Sequence, residues 1–196
     1  RKKMLSLEES LKILKETKAL IEGHFILSSG LHSSKYVQCA QLMSKPTHAL
    51  KMCKSLSEKI NDELEEFDLI LSPAMGGIIV GYEIGKLLNK ETIFAERVNK
   101  DFKLRRDFVI KKNSRVLIVE DVITTGKSSI ECSKLVKINN AKIVGYACII
   151  DRSNGKSIIK KKIVSQVNLS IPTYTKENLP EYLSLIDPVK PGSRNF

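Results

Sequence analysis

Glu120 and Asp121 are adjacent carboxylates at the end of the apolar run Val116-Leu117-Ile118-Val119. Val122 and Ile123 follow, and then the small, hydroxyl-rich stretch Thr124-Thr125-Gly126-Lys127-Ser128. The run reads as a buried strand and the residues beyond it as the turn into a helix. At such a turn, Thr124 to Ser128 offer hydroxyls, a flexible backbone and N–H groups at the positive end of the helix, which together suit a phosphate monoester. A carboxylate pair repels a phosphate set directly on it, so the acids face ribose hydroxyls or a Mg²⁺ ion. The implied ligand is a sugar phosphate with a metal-linked group at its other end. The same residue types also make an ordinary strand-to-helix loop with an acidic start and a Thr cap. The stretch is not a Walker A loop, because GxxxxGK[ST] requires Gly where Asp121 stands.

A second chemistry-bearing segment is Arg97 to Arg106, "RVNKDFKLRR", with Arg97, Lys100, Lys103, Arg105 and Arg106 between two strand-like stretches. Mobile cations that close over a departing anion stabilise the transition state more than the ground state. The alternative is a solvated basic hairpin. Arg152 follows the apolar run 141–151, and its plain reading is a surface pair with Asp151. The stretch 72–81, "SPAMGGIIVG", has its glycines at 76, 77 and 81 and so fails the dinucleotide pattern GxGxxG. His24 and His32 lack a partner at metal spacing and read as local hydrogen-bonding residues, and His48 as a helix-surface residue. No Ser–His–Asp or Cys–His arrangement follows from the spacing.

Placing these residues requires a sheet whose strands end where helices begin. Short Ile, Val and Leu runs at 67–73, 91–96, 115–121, 141–151 and 167–171 alternate with helical stretches at 77–89 and 127–139, the pattern of a parallel sheet covered on both faces. Amphipathic helices are expected over 5–21 and 46–62, the second opened by Pro46. The fold class is therefore α/β, a central mostly parallel sheet flanked by helices. With 196 residues, the chain 1–196 is expected to be a single domain in which roughly residues 1–40 contribute a hood over the core.

Composition narrows the partners. The net charge is +11, but 26 Lys against 7 Arg are spread along the whole length rather than clustered for phosphate or base recognition, so no nucleic-acid partner is expected. The run Lys160-Lys161-Lys162 reads as a solvated strand entrance. Cys39, Cys53, Cys132 and Cys148 are widely spaced and read as small core residues in a reducing compartment. The absence of a long apolar run or signal-type start leads to the expectation of a soluble, cytoplasmic protein without a membrane partner.

The stretch 116–128, "VLIVEDVITTGKS", resembles the phosphoribosyl diphosphate (PRPP) signature of the type I phosphoribosyltransferase family. The segments 23–38, 94–106 and 149–155, "GHFILSSGLHSSKYVQ", "FAERVNKDFKLRR" and "IIDRSNG", resemble in order and spacing the orotate phosphoribosyltransferase branch of that family. The resemblance implies transfer of phosphoribose from PRPP to orotate in pyrimidine (UMP) biosynthesis, with Mg²⁺ bound mainly through PRPP and a homodimeric enzyme. It implies that Arg97, Glu120, Asp121, Val122, Ile123 and the loop Thr124, Thr125, Gly126, Lys127 and Ser128 bind PRPP. Thr124, Arg152 and Tyr36 would meet orotate, and Lys100, Lys103 and Asp121 would be catalytic. The chain departs from the pattern at Gly76 and Ser28, where many relatives carry Lys, at Tyr36-Val37, which replaces an aromatic pair, and at Val98, where the first Lys of a KxxKxH spacing is expected. Two rival readings are a purine phosphoribosyltransferase and a non-catalytic nucleotide- or RNA-binding regulator on the same fold.

Overall fold

The computed structural model of the chain describes residues 4–191. Its larger sheet has six strands in the order β5-β4-β3-β6-β7-β8. These are β3 (Leu69–Pro73), β4 (Glu91–Val98), β5 (Asp101–Leu104), β6 (Arg115–Ile123), β7 (Lys142–Asp151) and β8 (Ile163–Asn168). All neighbours run parallel except β4 and β5, which form an antiparallel hairpin. Within β6 the side chains alternate between two cores. Leu117 and Val119 join α3 (Pro46–Glu63) and α4 (Gly76–Leu88), while Val116 and Ile118 pack with Cys132 and Val136 of α5 (Lys127–Ile138). The continuous apolar run of β6 thus follows from burial on both faces. All four cysteines are buried and free. Among the described residues no helix is long and apolar enough to cross a membrane.

A smaller antiparallel sheet, β1-β2-β9, joins this core through Leu20 and Val37 and is built from β1 (Leu20–Ile26), β2 (His32–Val37) and β9 (Thr173–Tyr174). It draws on residues well beyond the segment 1–40. The backbone of Val189 also reaches it, accepting from Ile26 N at 2.9 Å and donating to His24 O at 2.8 Å.

Three element expectations need correction. The helix expected over 5–21 is α1 (Leu7–Glu16), opened by a Ser6/Glu9 capping box and closed at Thr17, whose hydroxyl donates back to Ile13 O at 2.7 Å. Leu20 and Ile21 fit a helical period, but they belong to β1, where pairing with Val37 and Tyr36 overrides local preference. The last strand begins at Ile163, directly after the lysine run, and ends at Asn168, so the expected 167–171 lies four residues late at its start. Pro172 cannot continue a ladder, whereas Ile163 and Val164 pair with Tyr146 and Ala147. The segment 97–106 contains a strand of its own. Asn99 and Lys100 both have positive φ, at 50° and 74°, which matches a two-residue turn that suits the twist of the hairpin. Besides these, α2 (Cys39–Met43) and α6 (Glu181–Ser184) are short connecting helices.

Candidate active site

Because β3 and β6 are neighbours, the loop after β3 and the carboxylates of β6 meet above the sheet. A Cβ added at Gly76 would lie 2.7 Å from Asp121 Oδ2, and one at Gly77 would lie 3.0 Å from Val119 O and 3.2 Å from Glu120 Oε1. The glycine pair that opens α4 is therefore the space into which the acids fit. The motif G-G was visible in the sequence, but its partner was not, since Glu120 lies 43 positions beyond Gly77. The peptide bond Ala74–Met75 in this loop is cis.

The two acids differ in environment. Glu120 is buried, and burial, reinforced by the charge of Asp121, pushes its carboxyl well above the ordinary range. Its Oε1 accepts from Asp121 N at 3.2 Å. Asp121 is more open, and its Oδ1 accepts from Val122 N at 2.8 Å. One buried acid that favours its proton thus sits beside one accessible acid, so a hydroxyl ligand suits the first and a hydroxyl or a cation suits the second.

Beyond them the chain forms a cradle of about 130 Å³, lined by Glu120, Val122 and residues 123–129. Gly126 has φ +83°, which L side chains adopt at a cost, and Lys127 N donates to Thr125 Oγ1 at 3.2 Å. Thr124, Thr125 and Lys127 are exposed and Ser128 half-buried. The cradle is braced from behind by the segment after β7. Arg152 N donates to Ile123 O and Ile158 N to Thr125 O, each at 2.9 Å, and a Cβ at Gly126 would approach Ser157 Oγ to 2.6 Å and Ile159 to 2.8 Å. Gly126 is required first by this bracing segment, a neighbour that sequence reading did not identify.

Arg152 therefore leaves the same segment that braces the cradle. Burial lowers the pKa of its guanidinium, against a smaller opposing effect of Tyr36. Asp151, its expected surface partner, instead accepts from Ser153 N at 2.8 Å. A half-buried cation next to Tyr36 of β2, with no acid among the described residues offsetting its burial, is equipped to receive an anionic ligand. Tyr36 in turn packs on Phe25, with ring centroids 5.8 Å apart. His24 and His32 form a buried pair, with His24 Nε2 2.6 Å from His32 Nδ1 and His24 Nδ1 2.7 Å from Ile186 O. They tie the smaller sheet to the segment around Ile186, a local hydrogen-bonding role.

The basic hairpin stands on the other side of the cradle. The Arg97 guanidinium donates from Nη1 to Lys100 O at 2.7 Å and from Nη2 to Ser128 Oγ at 3.5 Å, and it is ion-paired to Glu131 of α5. It also lies over the Phe102 ring, 4.2 Å from its centroid. Arg97 is thus brought to the cradle by direct contact. Lys100 is exposed at the hairpin turn, and Lys103 is exposed on β5 opposite Glu96. Glu96 is occupied by Arg106, which donates to it at 3.1 and 3.0 Å, and by Arg105 at 3.9 Å. Among the described residues, neither lysine side chain has a hydrogen bond or ion pair to the cradle.

Residues 45–183 match the phosphoribosyl transferase domain family. The orotate phosphoribosyltransferase of Parvibaculum lavamentivorans is 43% identical over 190 residues, which cover 96% of this chain and 98% of that protein. That of Rhizorhabdus wittichii is also 43% identical, over 95% of this chain and 96% of its own length. The crystal structure of orotate phosphoribosyltransferase from Aeropyrum pernix superposes with a TM-score of 0.68 at 25% identity, covering 81% of this chain and 92% of that one.

Proposed function

Because this chain belongs to the phosphoribosyl transferase domain family, within its orotate phosphoribosyltransferase branch, we propose that it transfers the phosphoribosyl group of PRPP to orotate. The products are orotidine 5′-phosphate and pyrophosphate, a step of de novo pyrimidine (UMP) synthesis. The observation that carries this reading is the joining of two sites by one segment. Arg152, a half-buried guanidinium fit for a carboxylate, begins the same stretch that braces the phosphate cradle through Ile158.

The residues divide the work by charge. The N–H groups and hydroxyls of Thr124 to Ser128 hold the 5-phosphate, and Glu120 and Asp121 accept hydrogen bonds from the ribose hydroxyls. Arg152 pairs with the orotate carboxylate, with Tyr36 and Thr124 beside the ring, which fixes the attacking nitrogen beneath C1 of the ribose. That nitrogen is nearly anionic in orotate, so a strong general base is unnecessary. As the C1–O bond lengthens, negative charge grows on the pyrophosphate, and Arg97, Lys100 and Lys103 stabilise it from the hairpin. Positioning and preorganised charge supply most of the acceleration.

Among the described residues no three His, Cys, Asp or Glu side chains converge as a metal site. The hard oxygens of Glu120 and Asp121 nevertheless fit Mg²⁺ that is held mainly by the substrate. Bound there, the ion would neutralise diphosphate charge. The reading extends to a cytoplasmic homodimer that works on small molecules and not on nucleic acid.

The test is the loss of orotate absorbance after PRPP and Mg²⁺ are added to the purified chain. Turnover of orotate with no turnover of adenine, guanine or hypoxanthine is expected. Turnover of a purine instead would overturn the base assignment, and binding of PRPP without turnover of any base would favour a regulator.

A further inference from the structure

The proposed reaction leaves Glu131 unexplained. It lies on the second turn of α5, the helix whose N-terminus closes the phosphate cradle, so its carboxylate opposes the anion that the cradle receives. A residue present only for helix surface or solubility would be poorly placed there. Its ion pair with Arg97 has side chains 24% and 41% exposed, and pairs this open add little to folding stability.

The geometry around Arg97 gives the pair another role. Lys100 O holds one terminal nitrogen from the hairpin turn, Glu131 holds the other from α5, and the Phe102 ring supports the guanidinium from below. Ser128 Oγ, itself a cradle group, lies 3.5 Å from the nitrogen that Glu131 holds. Without Glu131 the guanidinium would keep its anchor on the hairpin but lose its only charged tie to the helix among the described residues. Arg97 would then be free to turn away from the cradle mouth.

We propose that Glu131 is a positioning residue: its carboxylate holds the Arg97 guanidinium beside Ser128 so that the cation meets the phosphate-bearing substrate. This rests on the proposed PRPP reaction. It makes a prediction opposite in sign to the simple electrostatic one. If Glu131 were only a nearby negative charge, its removal would tighten binding of the highly anionic PRPP. If it positions Arg97, its removal weakens PRPP binding.

The experiment compares the unaltered chain with Glu131→Ala, Glu131→Asp, Arg97→Ala and the double variant. It uses steady-state kinetics with Mg²⁺, calorimetric PRPP binding and thermal melting. Glu131→Ala is expected to raise the KM and Kd for PRPP roughly tenfold, the scale of one lost charge-assisted contact. The KM for orotate and the melting temperature should stay within error of the unaltered chain. Glu131→Asp should recover part of the loss, and adding Glu131→Ala to Arg97→Ala should cause no further loss. Unchanged or tighter PRPP binding in Glu131→Ala overturns the proposal, as does an equal loss in the Arg97→Ala background. Weakening of PRPP and orotate together with a lowered melting temperature also overturns it, because that pattern belongs to a structural pair. An unaltered chain that binds PRPP but does not convert orotate overturns the proposed reaction alone, since the PRPP binding comparison still reads Glu131; one that binds no PRPP overturns both.

Discussion

The two flanks of the site are built on different principles. The cradle at 124–128 is shaped by backbone: Ile123 O and Thr125 O accept N–H groups from Arg152 and Ile158 of the segment after β7, and Gly126 O accepts from Ile130 of α5. The basic segment 97–106 presents exposed side chains whose partners are the half-buried carboxylates Glu96 and Glu131 and the rings of Phe94 and Phe102. In the proposed reaction, backbone bonds would fix a phosphate that stays put throughout. Side-chain cations suit a group whose charge grows and which must then leave. Under the proposed reaction, rigidity is placed where the ligand does not change and adaptability where it does.

The largest expected effect comes from attacking the rigid side. Gly126→Val places a branched side chain at φ +83° against Ser157 and Ile159, so the cradle and its brace must part. PRPP binding should fall below calorimetric detection while the protein still melts cooperatively at a lower temperature. Normal affinity in a folded variant would move the 5-phosphate elsewhere and erase the contrast between the flanks. Next is Arg152→Ala, which should cost orotate binding about 2–5 kcal/mol by leaving a carboxylate unpaired. PRPP affinity should change far less, because the backbone N–H of residue 152 still reaches Ile123. Equal loss of both ligands, measured by titration, would mean that the brace and not the guanidinium was removed.

On the adaptable side, Lys100→Ala and Lys103→Ala should lower kcat, at least one of them by roughly a hundredfold, with orotate affinity nearly unchanged. If both retain full kcat, the hairpin contributes through Arg97 alone. The smallest effect concerns Glu120 in the ligand-free protein. Its carboxyl pKa is raised on folding, so the folded state holds a proton that the unfolded state releases, and stability falls as pH rises above the ordinary carboxylate range. Glu120→Gln removes this penalty. Its melting temperature should exceed that of the unaltered chain by a margin that widens from pH 5 to pH 8; a constant margin would place the acid outside the buried environment.

The same contrast governs what could be read from sequence. Strands β3, β4, β6 and β7, helices α3, α4 and α5, and the cradle were legible because apolar runs, a proline start and a hydroxyl-glycine turn are local consequences of backbone requirements. The partners of Gly76, Gly77 and Gly126 were not, because each is supplied by a distant strand end or loop. The hairpin was visible only as charge, since Asn99 and Lys100 carry no glycine to mark a turn with positive φ. The small sheet was misread in part because Leu20 and Ile21 satisfy two periodicities, and only long-range pairing chooses between them.

That small sheet also orders events in time. His24 meets Ile186 across 162 positions, and Ile26 and Val189 are still farther apart, whereas the strand pairings from β3 to β8 span much shorter separations. Contacts of such separation carry the largest loop-closure cost and form late. During synthesis the phosphate cradle can therefore be complete while residues 20–37 still wait for the stretch around 173–189 to emerge. A ribosome-bound chain halted near residue 170 would be expected to recognise phosphate before it can enclose a base.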